Sequence, residues 1–588
     1  MTAFTNDQDL TRRTVRKLDF ILLPFLSVLF LVNSLDRSNI GNAETAGFTH
    51  DAELDPKDLN DAVAMFFVFF VALQPVGAAA GRKFGMSVWV PSVMTIWGIC
   101  TLLHVWVRNR TQLITLRIII GMLEAGFYPT TVSYLSLFYT RYEFGRRLGL
   151  FYGSYGVAGA VGGVIAYVVF SWFQSDGPHD GNQLTIDGSW KPWQILFLVE
   201  GCLTIVIAVI GFFWLPKSAG SAWFLTAEEA AWAEERIRLD RETPNVYNGS
   251  DTSAVHRNSP AEINYEPDND DQTRGLLSEV QTITDSQEHA LKESDITADS
   301  GLSRPQLLST VLFLPLIVPI LILNIATAIP ATGFSIFLPL VLSSLKLSSP
   351  LHSNILTAPP FLLASITLYI FTHWSDKSRR RIIPILASLG IIILGLSLTL
   401  LLSSSSSFSS LQAVALYLSL CILLSGSYIP SPLTVAWFAG NIPDPGKRAI
   451  VLGINGYGNL AGVLSAYIFS PRWQEEGYRV SFWITLAITL TSALGFAALK
   501  FVLIAINDAR AKLLSRWSVA EVDRERVLGL GKASGWSDAR EVPAFATVGG
   551  TWWDRQVRYW IGRRTLKMHL RDTLVRRGDE RFTFQYGL

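Results

Sequence analysis

Leu35-Asp36-Arg37-Ser38-Asn39-Ile40-Gly41-Asn42-Ala43 closes an apolar run that begins near residue 18. An acid and a base stand side by side where hydrocarbon would otherwise continue. Charges inside a membrane segment are costly, so they tend to face a cavity and carry function. Two readings are open. Either the helix ends at Leu35 and leaves the pair in water, or it continues and turns the pair inward. Nothing forces a stop before Pro56, and Asn33, Arg37 and Glu44 recur at helical spacing, which favours an inward-facing polar stripe.

The rest of the chain is made for hydrocarbon. Its 588 residues are 49% hydrophobic and 16% charged, whereas a soluble chain is roughly a quarter charged. A net charge of +1 excludes a polyanion partner, and no basic stripe interleaved with aromatics points to nucleic acid. Cys100, Cys202 and Cys421 all lie in apolar runs and read as small core residues, with neither metal-ligand spacing nor a disulfide framework. The first apolar run follows Arg12, Arg13, Arg16 and Lys17, but it is too long for a cleavable signal and ends in charges. No phosphate loop, metal constellation or nucleophile–base pairing stands out, so neither an enzyme nor a cofactor is expected.

A span needs about 20 mostly apolar residues. Such runs lie near 18–43, 60–80, 88–106, 112–137, 147–172 and 193–215, then near 307–343, 351–373, 382–402, 411–434, 448–469 and 480–504. The expected fold class is an all-α membrane protein of twelve transmembrane helices. It divides into an N-terminus (1–17), a first six-helix half (18–215), a linker (216–306), a second half (307–504) and a tail (505–588). Arg82-Lys83, Arg141 with Arg146-Arg147, Lys377 with Arg379-Arg380-Arg381, and Lys447-Arg448 fall on alternate loops, on the side of the Arg12–Lys17 cluster. The opposite loops carry Asp51, Glu53, Asp55 and Asp58, then Asp176, Asp180 and Asp187, with Arg108 and Arg110 as the exception. Positive-inside reasoning places both termini in the cytoplasm of a multi-pass protein, expected in the plasma membrane.

The linker opens with a short amphipathic helix, capped by Thr226 with Glu229 reaching back. From Thr243 to Ser300 it is rich in Asn, Asp, Ser, Thr and Glu and reads as disordered. The basic loop after the second span of each half repeats: Gly81-Arg82-Lys83, then Ser375-Asp376-Lys377 with Arg379-Arg380-Arg381. Six-plus-six spans with this repeat form the layout of the major facilitator superfamily, whose sites lie near the midplane between the halves.

The chain resembles the fungal anion:cation symporter branch of that superfamily, the allantoate-permease-like proteins, over nearly its whole length. The resemblance is carried by Leu35 to Ala43, by Gly121-Met122-Leu123-Glu124-Ala125-Gly126-Phe127-Tyr128-Pro129, and by Leu356-Thr357-Ala358-Pro359-Pro360-Phe361. Trp437 with Asn441 after the tenth span, Gly458-Asn459-Leu460-Ala461-Gly462, and a Gly578-Asp579 ending with Phe582, Phe584 and Tyr586 extend it. Gly81 stands where the wider superfamily often has an acid, leaving Asp376, with Arg82 and Arg380, as the candidate gate groups. Phe67, Phe69 and Phe70 stand where relatives often carry tyrosine, which makes the cavity more apolar.

The resemblance implies that Arg37 contacts an anionic substrate and that Asp36 and Glu124 couple protons. A guanidinium suits this role because it stays charged and forks onto a carboxylate. Arg117, nearer the outer end and a candidate for substrate binding or gating, lies seven residues from Glu124 on one helical face with Gly121 between them, and the two also fit a structural ion pair. Asn39 falls within the same motif and joins the substrate-binding candidates; Asn324 and Asn459 fit substrate contact or helix–helix hydrogen bonding. The glycines from Gly153 to Gly163 read as close packing, and His104 and His373 as interfacial residues. The expected function is proton-coupled uptake of a small organic anion (a carboxylate, ureide, vitamin or sulfonate) by a monomeric secondary transporter. Alternatives are an exporter of an acidic metabolite and a membrane nutrient sensor.

Overall fold

The computed structural model describes residues 2–173, 190–242, 317–345, 347, 349–378, 380–403, 410–441 and 456–519, with 522, 583 and 587. Among the described residues all regular structure is helical. The first half contains α1 (Asp9–Thr45), α2 (Pro56–Phe84), α3 (Met86–Leu103), α4 (Arg110–Leu135), α5 (Arg141–Trp172) and α6 (Pro192–Trp214). The helix α7 (Ala227–Glu242) follows. The second half contains α8 (Ile317–Ser344), α9 (Pro350–Ser378), α10 (Ile382–Leu402), α11 (Ser410–Trp437), α12 (Leu460–Ile468) and α13 (Arg479–Leu514).

Eleven of these helices are long and apolar enough to cross a membrane. The remaining expected span, 448–469, is described only from the 3-10 turn Gly456–Asn459 onward through α12. Exposed side chains such as Phe213, Leu401 and Phe501 ring the bundle where lipid would lie. Cys202 is exposed among them, so it faces outward and is not a core residue. The last helix runs ten residues past the expected boundary at 504, to Leu514. The expected loop 174–189, the linker beyond 242 and the tail tryptophans 552, 553 and 560 lie outside the described residues.

Local chemistry sets the helix ends. The helix α1 continues through the Asp36-Arg37 pair to Thr45, and Gly47, at φ 81°, then reverses the chain. Glu44 does not continue the inward polar stripe. Its carboxylate accepts from the Thr49 backbone and hydroxyl at 3.1 and 2.6 Å, and so caps the turn Phe48–Asp51. Asp55 and Asp58 form a capping box that starts α2, and the Asn109 side chain accepts from the Gln112 amide to start α4. Gly85, at φ 79°, makes the tight turn into α3.

Within the first half α1 packs on α5, α2 on α4 and α3 on α6. Between the halves α1 meets α8, α2 meets α12, and α5 meets α9. Under a two-fold axis relating the halves, the second and third of these contacts exchange, which is the structural form of the repeat read in the sequence. At the end carrying Asp51 and Asp55 the halves interlock. Asn60 on α2 donates to the carbonyls of Ala466 and, at 3.0 Å, Phe469; Asn354 on α9 donates to the Thr45 hydroxyl at 2.8 Å. Gly41 is required there, because a Cβ at that position would lie 1.8 Å from the Ile336 carbonyl oxygen of α8. Gly159 and Gly163 play similar packing roles against Phe361 and Thr357, whereas Gly153 has open space beside it.

At the opposite end α7 is stapled to the first half. The predicted cap is present, with the Thr226 amide donating to Glu229 at 2.9 Å. Lys17 bonds Glu229 at 2.6 Å, the Trp232 indole donates to the Thr11 hydroxyl, and Arg236 grips Glu143 at 2.8 and 3.0 Å. Partial burial works against ionisation of Glu229, but the Lys17 and Thr226 bonds outweigh it and hold the carboxyl below its ordinary range. Near the chain's end Gly587 is held by Asn441, whose side chain accepts from its amide at 2.6 Å, and by the Trp437 indole, which donates to its carbonyl at 2.8 Å. Trp437 and Asn441 lie on a continuous helical segment, Pro430–Asn441, and not beyond the helix.

The Gly41 contact gives a test of the closed end. Gly41→Ala should leave the protein folded but hold α1 and α8 apart. Cross-linking between cysteines placed at Thr45 and Asn354 should then fall several-fold, and unchanged cross-linking would show that the close approach is dispensable.

Candidate functional site

Arg37 is the hinge of the buried polar cluster. Its Nε donates to Glu124 Oε2 at 2.8 Å, and its Nη2 reaches Asn33 Oδ1 at 3.4 Å. Glu124 is fully buried, and the Arg37 side chain is 11% exposed. The guanidinium lies 4.5 Å from the Phe70 ring centroid and 5.7 Å from that of Phe66. A cation over aromatic faces gains about 0.5–2 kcal/mol, most where water is excluded. Phe66, which the sequence reading did not single out, thus belongs to the site; Phe67 lines it too.

The sequence placed Arg117 and Glu124 on one helical face as a possible pair. Structure pairs them differently. Glu124 takes Arg37, whereas Arg117 Nη1 donates to the backbone carbonyl of Asp36 at 3.2 Å. Gly121, between them, gives α2 room: a Cβ there would stand 2.4 Å from the Phe66 carbonyl oxygen. Asp36 is buried, accepts from the Thr101 hydroxyl at 3.3 Å through one oxygen, and has no partner for the other. Adjacent residues on a helix point about 100° apart, so Arg37 faces the cavity and Asp36 faces α3 and α4 within the first half.

That inner layer holds two groups the sequence reading missed or misplaced. Glu200 on α6 is 1% exposed, and neither carboxylate oxygen has a hydrogen-bond partner. His104, read as interfacial, is fully buried; its Nδ1 meets the Cys100 carbonyl oxygen at 2.9 Å and its ring stacks on Phe197 at 5.0 Å. The end of α3 is covered by α6, a tertiary fact that hydropathy does not carry. A signal for Glu200 was nevertheless present: a lone acid inside the apolar run 193–215.

The other candidates are dispersed. Asn39 is buried on the inner layer with neither amide atom bonded. Asn324 lies where α8 meets Gly458, a Cβ at which would stand 2.4 Å from its amide nitrogen, and Asn459 donates to Gly456 of its own turn at 2.9 Å. Neither lines the central cavity, which is bounded by Arg37, Ile40, Val63, Phe66, Phe67, Arg117 and Ile336. Asp376 pairs with Arg381 at 2.5 Å, while Arg380 is exposed with its amide directed at the Ser378 hydroxyl. The side chain of Arg82 lies outside the described residues. The aromatics Phe127 and Tyr128 pack with Phe30 and Phe151 and serve the α1–α4–α5 contact.

The cavity measures about 10 Å³, near the lower limit for one water molecule. Ile336 of the second half closes it over Arg37. A charged fork held dry between two halves, with a carboxylate as its internal counter-ion, has the arrangement expected of a midplane site in an alternating-access carrier. Among the described residues no group of His, Cys, Asp and Glu is placed to hold a metal ion.

Comparison with known proteins agrees with this class. Residues 26–443 match the family model of the Major Facilitator Superfamily, and the chain belongs to that superfamily. It is a multi-pass membrane transporter and not an enzyme. It is 30% identical over 476 residues to the major facilitator-type transporter hxnP of Emericella nidulans, covering 80% of this chain and 81% of that one. It is 26% identical over 524 residues to the high-affinity nicotinic acid transporter of Saccharomyces cerevisiae, covering 87% and 83%. The fold matches the xylose transporter XylE of E. coli in a partially occluded inward-open conformation, with TM-score 0.54 and 12% identity over 80% of this chain and 95% of that one.

The site makes a double-mutant prediction. Removing one member of a buried ion pair costs about 3–5 kcal/mol, because its partner is left charged and alone. Arg37→Ala should therefore reduce thermal stability, and Arg37→Ala with Glu124→Gln should recover most of the loss, as read by thermal denaturation in detergent. Additive losses would show that the pair carries no coupling energy.

Proposed function

We propose that this transporter takes up a small organic anion together with protons, as a monomer of the allantoate-permease-like branch. Its expected place is the plasma membrane, with both termini in the cytoplasm. The observation that carries the reading is Arg37, bonded to Glu124 inside a closed apolar site. A substrate carboxylate and the Glu124 carboxylate compete for one guanidinium. Protonation of Glu124 from the outer side releases Arg37, which then captures the anion through its fork. Rocking of the halves about the site exposes it inward, where proton loss from Glu124 returns Arg37 to its internal partner and expels the substrate.

Phe66 and Phe70 give the site a preference for anions with a flat or apolar body beside the charge. Nicotinic acid, for which the yeast relative is named, has that form. It is the first probe to use, within the wider range of carboxylates, ureides, vitamins and sulfonates. Asp36 is a second proton-carrying candidate, and Asp376, Arg380 and Arg82 belong to the loops that would seal the inner end. Uptake gains from an acidic exterior, because protonation outside is the step that frees Arg37.

In proteoliposomes, uptake of nicotinate, or of an organic acid first found to stabilise the protein against heat, should rise as the outside is acidified. Arg37→Lys should reduce it severely and Arg37→Ala abolish it, since a lysine loses the fork while keeping the charge. Glu124→Gln should lose gradient-driven accumulation yet retain exchange of internal for external substrate. Accumulation with unchanged pH dependence in Glu124→Gln would make the glutamate structural and overturn this cycle.

Orientation has its own test. A tag inserted at Ser259 or Ser534 should resist protease added to intact cells, whereas one at Gly181 should be cut. Digestion at Ser259 from outside would reverse the assigned sidedness.

A further inference from the structure

The buried cluster of the first half contains two arginines, Arg37 and Arg117, and three carboxyl groups, Asp36, Glu124 and Glu200. Arg117 lies within charge-interaction range of all three acids. If every group were ionised, the cluster would carry one net negative charge without water to solvate it, a state that costs several kcal/mol. Neutrality therefore requires one proton among the three acids. Glu124 has Arg37 at 2.8 Å, and Asp36 has the Thr101 hydroxyl. Glu200 is 1% exposed and its oxygens have no hydrogen-bond partner. We propose that Glu200 holds this balancing proton and shares it with Asp36 during the transport cycle.

The groups facing Glu200 fit a shared proton. From α1 come Asp36 and the Asn39 amide, and from α4 comes Arg117. α3 and the 3-10 turn after it, which pack on α6, carry Thr101, engaged with Asp36, and His104, whose Nδ1 is engaged with the Cys100 carbonyl. Among the described side chains of α5 the titrating groups are occupied elsewhere: Glu143 with Arg236, Arg147 with Asp19, Tyr152 against Tyr128 and Tyr155, Tyr155 with Ser335, and Tyr167 against His352. The backbone carbonyl of Glu200 is already capped by the Thr204 hydroxyl at 2.9 Å. In the transfer, the Glu200 acid loses its proton to the Asp36 carboxylate and becomes a carboxylate itself, so charge moves while the cluster stays neutral. Each monoanion that binds Arg37 then brings one further proton, taken by Glu124. Glu200 is thus a positioning residue that sets the proton affinity of the substrate-facing pair, an inference that rests on the proposed anion–proton cycle.

The test is infrared difference spectroscopy of the full-length protein in nanodiscs, comparing neutral and alkaline pH without substrate. The wild type should show the carbonyl band of a protonated, buried carboxyl group. Glu200→Gln should remove one component of that band, and Glu200→Asp should retain it at a shifted position. Asp36→Asn and Glu124→Gln serve as references for the other two acids. In parallel, nicotinate uptake by Glu200→Gln should need a more acidic exterior to reach half its maximum, because Asp36 can no longer take its proton from Glu200 and must draw it from outside. Glu200→Asp should restore the wild-type profile.

A wild-type spectrum without the band, or a band unchanged by Glu200→Gln, would overturn the proposal. So would an unshifted uptake profile in a protein that transports nicotinate. If Glu200→Gln fails to fold, Glu200→Asp alone decides, since it must move the band. If nicotinate is not carried, the infrared result still judges Glu200, and only the substrate reading fails.

Discussion

Electroneutrality in a dry place is the constraint on which the first half of this protein is built. The bond between Arg37 and Glu124 joins α1 to α4, and Arg117 ties α4 back to the α1 backbone at Asp36. Two unit charges 4 Å apart interact by about 4 kcal/mol at the effective dielectric typical of proteins, against about 1 kcal/mol in bulk water. Each ion so placed therefore needs its counter-ion, and the helices carrying them are held in register by that need. In the proposed cycle the same bonds would make the site switchable, since a single proton on Glu124 removes the counter-charge that fixes Arg37.

The two halves divide the work unequally. Among the described residues, the buried acids and bases deep in the spans, Asp36, Arg117, Glu124 and Glu200, lie in the first half, while the second half's buried Arg510 stands near the end of its last helix. Over residues 317–500 the buried polar groups described are hydroxyls and amides, such as Asn324, Ser335, Thr399 and Thr485. The second half meets the site with backbone and apolar groups, through the Ile336 carbonyl against Gly41 and the Ile336 residue over the cavity. A facing surface without charge at the site meets the first half at low electrostatic cost.

Span order and the inward setting of Asp36, Arg37 and Glu124 were legible because charge interrupting an apolar run is a local signal. The pairing was not. Arg37 and Glu124 are 87 positions apart, whereas Arg117 and Glu124 share a helical face, so periodicity pointed to a pair that the fold does not make. His104 shows a related limit: it sits at a helix end, which hydropathy reads as wet, but α6 covers that end. Glu200 carries the same local signal as Glu124 and lacked only a motif to draw attention to it. By residue type Asn324 and Asn459 fitted either a ligand contact or a helix–helix hydrogen bond, and the close approach of α8 to the Gly458 turn accords with the second.

The grip on Gly587 bears on how the protein is handled. Its amide and carbonyl are both engaged, by Asn441 and Trp437, one residue before the chain ends at Leu588. A purification handle fused directly after Leu588 begins immediately beside this anchorage and pulls on the end of the helix bearing Trp437. A handle on the amino-terminal side avoids it, and a difference in activity between the two fusions would report on the anchorage itself.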